Sequence, residues 1–346
     1  MKTIKLKFVD MMPKFVPENN FWYNFLMQFY KVELSESPDY IFYSVFGNEH
    51  LKYNNCIKIF WTGENQLPDF NLCDYAIAFA YLQFSDRYSR LPLYYLYEDP
   101  FVKMLKKTNF SASDLANKTE FCSFVYSNNN ASPERQIIYD KLSAYKKVVS
   151  GGRFLNNVGS AVKDKIEFQQ SCKFCIAFEN TSSPGYITEK LMQAFASQTV
   201  PIYWGDSTVT QYFNTDSFIN CHDYNSFDEV VERVKFLDNN DAEYLKMLHT
   251  PALKNQNDRD EKLEELHAFF STIFEQSLDK ARRFSREYWN KKYLKNQILL
   301  HRAYDNSLRG FAERLYMRVF RKIEKKNKNV FLWKMHKTLM KWMGKN

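Results

Sequence analysis

The chain has 346 residues, of which 45% are hydrophobic, 17% aromatic and 25% charged. That balance excludes a disordered chain and a disulfide-stapled miniature, and gives room for two packed domains. The net charge of +8 is uneven: residues 309–346 hold 12 Lys/Arg and only Glu313 and Glu324, a local +10, which leaves 36 basic and 38 acidic groups, net −2, in the rest.

Lysines interleave with apolar residues over 1–10, which reads as a first strand and not as a signal peptide. Strands are expected over 4–9, 40–46, 56–61 and 74–79, helices over 21–30 and 93–106, and a polar linker near 109–119. A second alternation follows, with strands over 121–127, 147–149, 173–178, 199–203 and 217–219. Its helices are expected over 132–144, 162–171, 186–197 and 226–237, and residues 240–305 read as helical throughout. Strands alternating with helices of this length argue for parallel sheets, and two such series in tandem for two Rossmann-like domains facing a cleft. The expected division is 1–115, 116–305 with trailing helices, and a tail over 306–346. Cys172 and Cys175 have C-x-x-C spacing but lead into an apolar run, a buried strand and not a zinc or redox site. No uncharged apolar run reaches the ~18 residues of a membrane span.

The stretch Phe178-Glu-Asn-Thr-Ser-Ser-Pro-Gly-Tyr-Ile-Thr-Glu-Lys-Leu-Met192 reads as strand, turn and helix, with Tyr186 opening the helix and Ile187, Leu191, Ala194 and Phe195 on its apolar side. Such a helix start lies beyond a strand's carboxyl end, where open α/β sheets bind ligands and free amides suit a pyrophosphate. Asn180, Tyr186, Glu189 and Lys190 crowd the turn. Lys190 could neutralise a phosphate, and Glu189 could hold ribose hydroxyls or face a cationic sugar. By spacing alone the two also read as ordinary first-turn surface charges, because no glycine-rich fingerprint or Walker motif is present.

Continued into Val200-Pro-Ile-Tyr-Trp-Gly205, this stretch resembles the signature of the α1,3-fucosyltransferase family, especially its bacterial members. Further matches fall in order at Phe60-Trp-Thr-Gly-Glu-Asn65, Ser85-Asp-Arg-Tyr88, Leu91-Pro-Leu-Tyr-Tyr95, Ser127-Asn-Asn-Asn-Ala-Ser-Pro-Glu-Arg135 and Phe218-Ile-Asn-Cys-His-Asp223. The resemblance implies an α/β fold of GT-B architecture with GDP-fucose on the C-terminal domain. It implies inverting transfer of fucose to a GlcNAc hydroxyl, the 3-OH of an N-acetyllactosamine-type acceptor. Arg135 would contact the donor pyrophosphate; Asn180, Tyr186, Glu189 and Lys190 would complete the donor site. Glu64 would be the general base, with Glu189 next in line. No cofactor or metal is expected to be obligatory. Relatives commonly carry two acids just before the Asp-Arg-Tyr motif, where Phe79-Ala-Tyr-Leu-Gln-Phe84 has none. A GT-B transferase for another nucleotide sugar, and a glycan- or membrane-binding protein that has lost catalysis, remain as alternatives.

In the tail, Phe311, Leu315, Val319 and Ile323 recur every four residues, then Leu332, Met335, Leu339 and Trp342, with Arg and Lys on other faces. Basic helices with such an apolar side suit an anionic membrane surface. The expectation is a cytoplasmic enzyme held peripherally at the inner face of the membrane. A hairpin packed on the body is an alternative, and nucleic acid is not expected as a partner, since no basic patch lies outside the tail.

Overall fold

The computed structural model describes residues 1–106, 111, 113–127, 129–307, 310–311 and 315, so the basic tail lies almost wholly outside the described residues. Apolar runs that are buried on both faces make the central strands, the mark of parallel sheets covered by helices. The first sheet contains β1 (Thr3–Val9), β2 (Lys31–Leu34), β3 (Tyr40–Tyr43), β4 (Ile57–Trp61), β5 (Tyr75–Ala78) and β6 (Tyr88–Arg90), in the order β2-β1-β3-β4-β5-β6. The second contains β7 (Glu120–Phe124), β8 (Val148–Ser150), β9 (Cys172–Phe178), β10 (Val200–Trp204) and β11 (Ile219–Asn220), in the order β11-β10-β9-β7-β8. All the strand pairs run parallel. In each sheet the first strand separates the second from the third, so strand order reverses beside it. Two doubly wound units of this kind are the GT-B architecture expected from the sequence.

The helices are α1 (Phe21–Leu26), α2 (Glu98–Leu105), α3 (Glu134–Tyr145), α4 (Lys165–Gln170), α5 (Glu189–Ala196), α6 (Phe227–Asp238), α7 (Asp241–His249), α8 (Asp258–Phe274), α9 (Leu278–Ala281) and α10 (Tyr288–Asn306). The helical run expected over 240–305 is thus four helices. Pro251, which lacks an N–H and clashes with the preceding turn, stops α7 at His249.

Helix α8 follows the second unit in sequence but packs on the first. Phe270 meets Trp22, Phe25 and Phe42, and Phe274 meets Tyr30 and Tyr40, with ring centroids 4.7–6.2 Å apart. The chain beyond it continues along the first sheet, where the Tyr293 hydroxyl donates to Asp69 and Arg283 pairs with Asp86. Helix α2 makes the reverse crossing and packs on α5. One apolar core therefore runs from Leu6 and Phe42 through Tyr94, Tyr95 and Phe101 to Leu191 and Phe195, joining the units. A separate core fills the other face of the second sheet around Phe124, Phe174, Ile202 and Val234.

Candidate functional site

A cavity of about 500 Å³ opens at the carboxyl ends of β7 and β9, where strand order reverses in the second sheet. Its wall includes Tyr97, Ser127, Arg135, Lys163, Lys165, Asn180, Glu189 and Lys190. Arg135 comes from the first turn of α3 and is only 2% exposed. Its Nη2 donates to the Asn180 Oδ1 at 2.6 Å and to the Phe178 carbonyl at 3.3 Å, and its guanidinium lies 4.1 Å from the Tyr126 ring centroid. Tyr126 is itself fixed, donating to the Ile176 and Phe178 carbonyls and accepting from the Phe178 N–H. The Arg135 Nε has no hydrogen-bond partner among the described residues. A buried cation held by one carboxamide and one backbone carbonyl, with a nitrogen to spare, is suited to an incoming anion.

The loop from β9 to α5 makes the rest of the wall. Gly185 stands at φ +84°, a left-handed conformation, and a Cβ there would sit 2.7 Å from the Phe79 carbonyl oxygen, so glycine is required twice over. Helix α5 begins at Glu189, not at Tyr186 as the periodicity suggested. The Thr188 side chain is taken up elsewhere: Glu179 accepts from its N–H at 2.8 Å and its hydroxyl at 2.7 Å, and Lys190 donates to Thr188 Oγ1 at 2.9 Å. Lys190 Nζ also pairs with Glu179 at 3.1 Å and Glu189 at 3.6 Å. Burial works against both charges, but each is overruled. Lys165 and Lys190 hold the Glu189 carboxyl below its ordinary value, and Glu179 and Glu189 keep the Lys190 ammonium well above its own. Both groups are ionised at neutral pH.

Tyr186 lies outside the wall of this cavity. It is buried between the units, its ring 5.0 Å from that of Phe79, and burial with the charges of Glu179, Glu64 and Glu189 pushes its hydroxyl pKa up despite Lys190, so it stays protonated. Glu64 is exposed, on the loop after β4, and its N–H donates to Thr62 Oγ1 at 3.0 Å. Its charge reaches Tyr186 but it does not line the cavity. The neighbouring Asn65 spans the cleft, donating to Thr181 at 2.5 Å and to Ser183 at 2.8 Å. The structure thus gathers Arg135, Asn180, Glu189 and Lys190 in one place, with Tyr186 behind them and Glu64 across the cleft.

Lys163, Lys165 and Glu179 were given no role by the sequence. A buried acid directly after an apolar strand was the available signal for Glu179; the two lysines flank Asp164, whose side chain caps α4. A larger cavity, about 660 Å³, lies between α1 and α8 and contains none of the signature residues. Among the described residues no group of three His, Cys, Asp or Glu could hold a metal ion, and no helix is long and apolar enough to cross a membrane.

Residues 6–97 match the family model of the α-(1,3)-fucosyltransferase FucT N-terminal domain, and residues 115–270 that of the glycosyltransferase family 10 (fucosyltransferase) C-terminal part. The chain is 37% identical over 299 residues to the α-(1,3)-fucosyltransferase FucT of Helicobacter pylori, a match covering 75% of this chain and 62% of that protein. It is 35% identical over 150 residues to a bovine 4-galactosyl-N-acetylglucosaminide 3-α-L-fucosyltransferase, covering 42% of this chain and 41% of the relative. The chain thus spans about three fifths of the bacterial relative and less of the bovine one. A crystal structure of an α1,3-fucosyltransferase with GDP-fucose superposes with a TM-score of 0.66 at 32% identity, over 80% of this chain and 92% of that one. Both halves of the chain, its fold and the order of its motifs agree: it belongs to glycosyltransferase family 10, the fucosyltransferases.

Proposed function

We propose that this protein is an inverting α1,3-fucosyltransferase that moves L-fucose from GDP-fucose to the 3-OH of GlcNAc in an N-acetyllactosamine-type acceptor. The observation that carries this reading is a cavity at a switch point with Arg135, Lys163, Lys165 and Lys190 in its wall and an exposed acid, Glu64, arriving from the other unit. The bacterial relative's name and the GDP-fucose held by the matching crystal structure support the donor, and the bovine relative's name supports the acceptor. Arg135 and Lys190 take up charge on the diphosphate as it leaves, helped by the amides opening α5. These fixed positive charges serve without an obligatory metal ion. Glu189, ionised beside them, faces the ribose or the sugar as it gains positive character. Glu64 accepts the acceptor hydroxyl's proton as that oxygen bonds to the anomeric carbon and the bond to the β-phosphate oxygen breaks, releasing GDP.

The basic stretch over 309–346 supports peripheral contact with an anionic membrane surface at the cytoplasmic face, where acidic lipids attract Lys and Arg. The reading of the reaction is tested by offering N-acetyllactosamine with GDP-fucose, GDP-mannose and UDP-galactose in turn. Turnover of GDP-fucose alone is expected. Preference for another donor would assign a different sugar, and turnover of none would leave a binding protein.

A further inference from the structure

We infer that Arg90, on the first unit, is a positioning residue that sets the register between the two halves of the site. This rests on the reading of fucosyl transfer above. Arg90 ends β6, the last strand of the first sheet, and its guanidinium is sandwiched between the rings of Tyr81 and Tyr212, 4.1 and 5.0 Å from their centroids. Its three nitrogens fan out to three places. Nε donates to the Phe79 carbonyl at 2.8 Å, Nη1 to the Tyr212 hydroxyl at 2.7 Å, and Nη2 to the Gly185 carbonyl at 3.4 Å. The last two acceptors belong to the second unit.

The clasp grips the donor loop at its tightest point. Gly185 carries the left-handed turn, and its own N–H donates to Asp206 Oδ1 at 2.7 Å, an atom that also accepts from the Thr208 N–H and hydroxyl. Thr208 in turn meets the Tyr81 hydroxyl, which donates to Gln211 as well, both at 3.0 Å. Phe79, whose carbonyl Arg90 holds, puts its ring on Tyr186. Arg90, Tyr81 and Phe79 therefore fix the Gly185–Tyr186 corner from the acceptor side. Among the described residues, the hydrogen bonds of the Arg135, Asn180, Glu179 and Lys190 side chains run to one another and to their own unit. Releasing the clasp should leave the diphosphate grip and the shared apolar core whole, and let the Gly185–Tyr186 corner shift against the first unit. Transfer needs a bound acceptor hydroxyl, Glu64 and the anomeric carbon held in register; hydrolysis by a small, mobile water, with no acceptor sugar to align, depends on that register much less.

The test is the partition of GDP-fucose between transfer to N-acetyllactosamine and hydrolysis, with GDP affinity measured by calorimetry. For Arg90→Ala, transfer should fall about 10–100-fold, the scale of a small misplacement of reactants, with hydrolysis and GDP affinity within about 3-fold of wild type. Tyr81→Phe, which keeps the stacked ring and loses two hydrogen bonds across the cleft, should lower the same ratio about 3–10-fold. If Arg90→Ala does not fold, Tyr81→Phe and Tyr212→Phe decide by that ratio. Transfer and hydrolysis falling in proportion, or neither falling, overturns the inference while leaving the function intact. A wild-type protein that neither transfers nor hydrolyses GDP-fucose overturns the functional reading, and the inference with it.

Discussion

The two sheets share the order of their first five strands, yet their switch points are used in opposite ways. In the first sheet the gap between the ends of β1 and β3 is closed by the chain itself. Phe46 donates to the Asp10 carbonyl at 3.1 Å, the Asp10 carboxylate accepts from the Glu49 and His50 N–H groups at 2.8 Å each, and it meets the His50 ring at 2.7 Å. In the second sheet the same gap is an open cavity whose wall carries Arg135 and Lys190, each anchored by a polar neighbour. Topology offers two ligand sites, and the side chains fill one and leave the other. Glu64 belongs to neither switch point. It sits past the end of β4 on an exposed loop, and the bonds from Asn65 and Arg90 to the second unit bring the halves together.

Substitutions on each side of that contrast have different consequences. Arg135→Ala and Lys190→Ala should each cost roughly 2–4 kcal/mol of transition-state stabilisation, the worth of the charge-assisted contact to the leaving group proposed for each. Steady-state transfer from GDP-fucose measures this, and survival within a few-fold of wild type would move the donor site elsewhere. At the closed switch point, Asp10→Asn should cost about 1–3 kcal/mol of stability at neutral pH, the usual loss for a buried hydrogen-bonded group, and leave GDP affinity unchanged. The sign with pH follows from burial raising the Asp10 carboxyl pKa while His50 and the two backbone N–H groups lower it further, for a net depression. Its contribution is therefore fully present above the ordinary aspartate value near 4 and lost as pH falls through the lower folded value. Urea titrations of both proteins at neutral and acid pH should converge on the acid side. The smallest change in catalysis is expected from deleting residues 309–346, which should abolish binding to vesicles rich in anionic lipid while transfer to a soluble acceptor stays within about 2-fold, since membrane attachment by such tails is additive and separable. An inactive truncation would make the tail part of the folded body.

The alternation of apolar runs and helical stretches announced both sheets, because central parallel strands are continuous apolar segments. It missed β2 and β6, which are short edge strands: Lys31-Val-Glu-Leu34 alternates and Tyr88-Ser-Arg90 is polar. Nor could periodicity show that α8 returns to the first sheet, because an apolar side does not say which surface it covers. The residues proposed to hold the donor were legible as a family signature, with Asn180, Glu189 and Lys190 close in sequence. Their partners were not. Glu179 and Thr188 act through a loop closed by Gly185, and Arg90 acts across the cleft on a residue 95 positions away. Such pairings are set by how two units dock, which local composition does not encode.

The proposed division of labour between an anchored donor wall and a base brought from the other unit is tested most directly by Glu64→Gln, with transfer and GDP affinity measured on the same preparation. The substitution keeps size and shape and removes basicity. Transfer should fall about 10²–10⁴-fold, the usual worth of a positioned general base, while GDP binds within about 2-fold of wild type. Near-normal transfer would contradict the account and turn attention to Glu189. A loss of GDP affinity equal to the loss of transfer would contradict it in another way, by putting Glu64 in the donor wall.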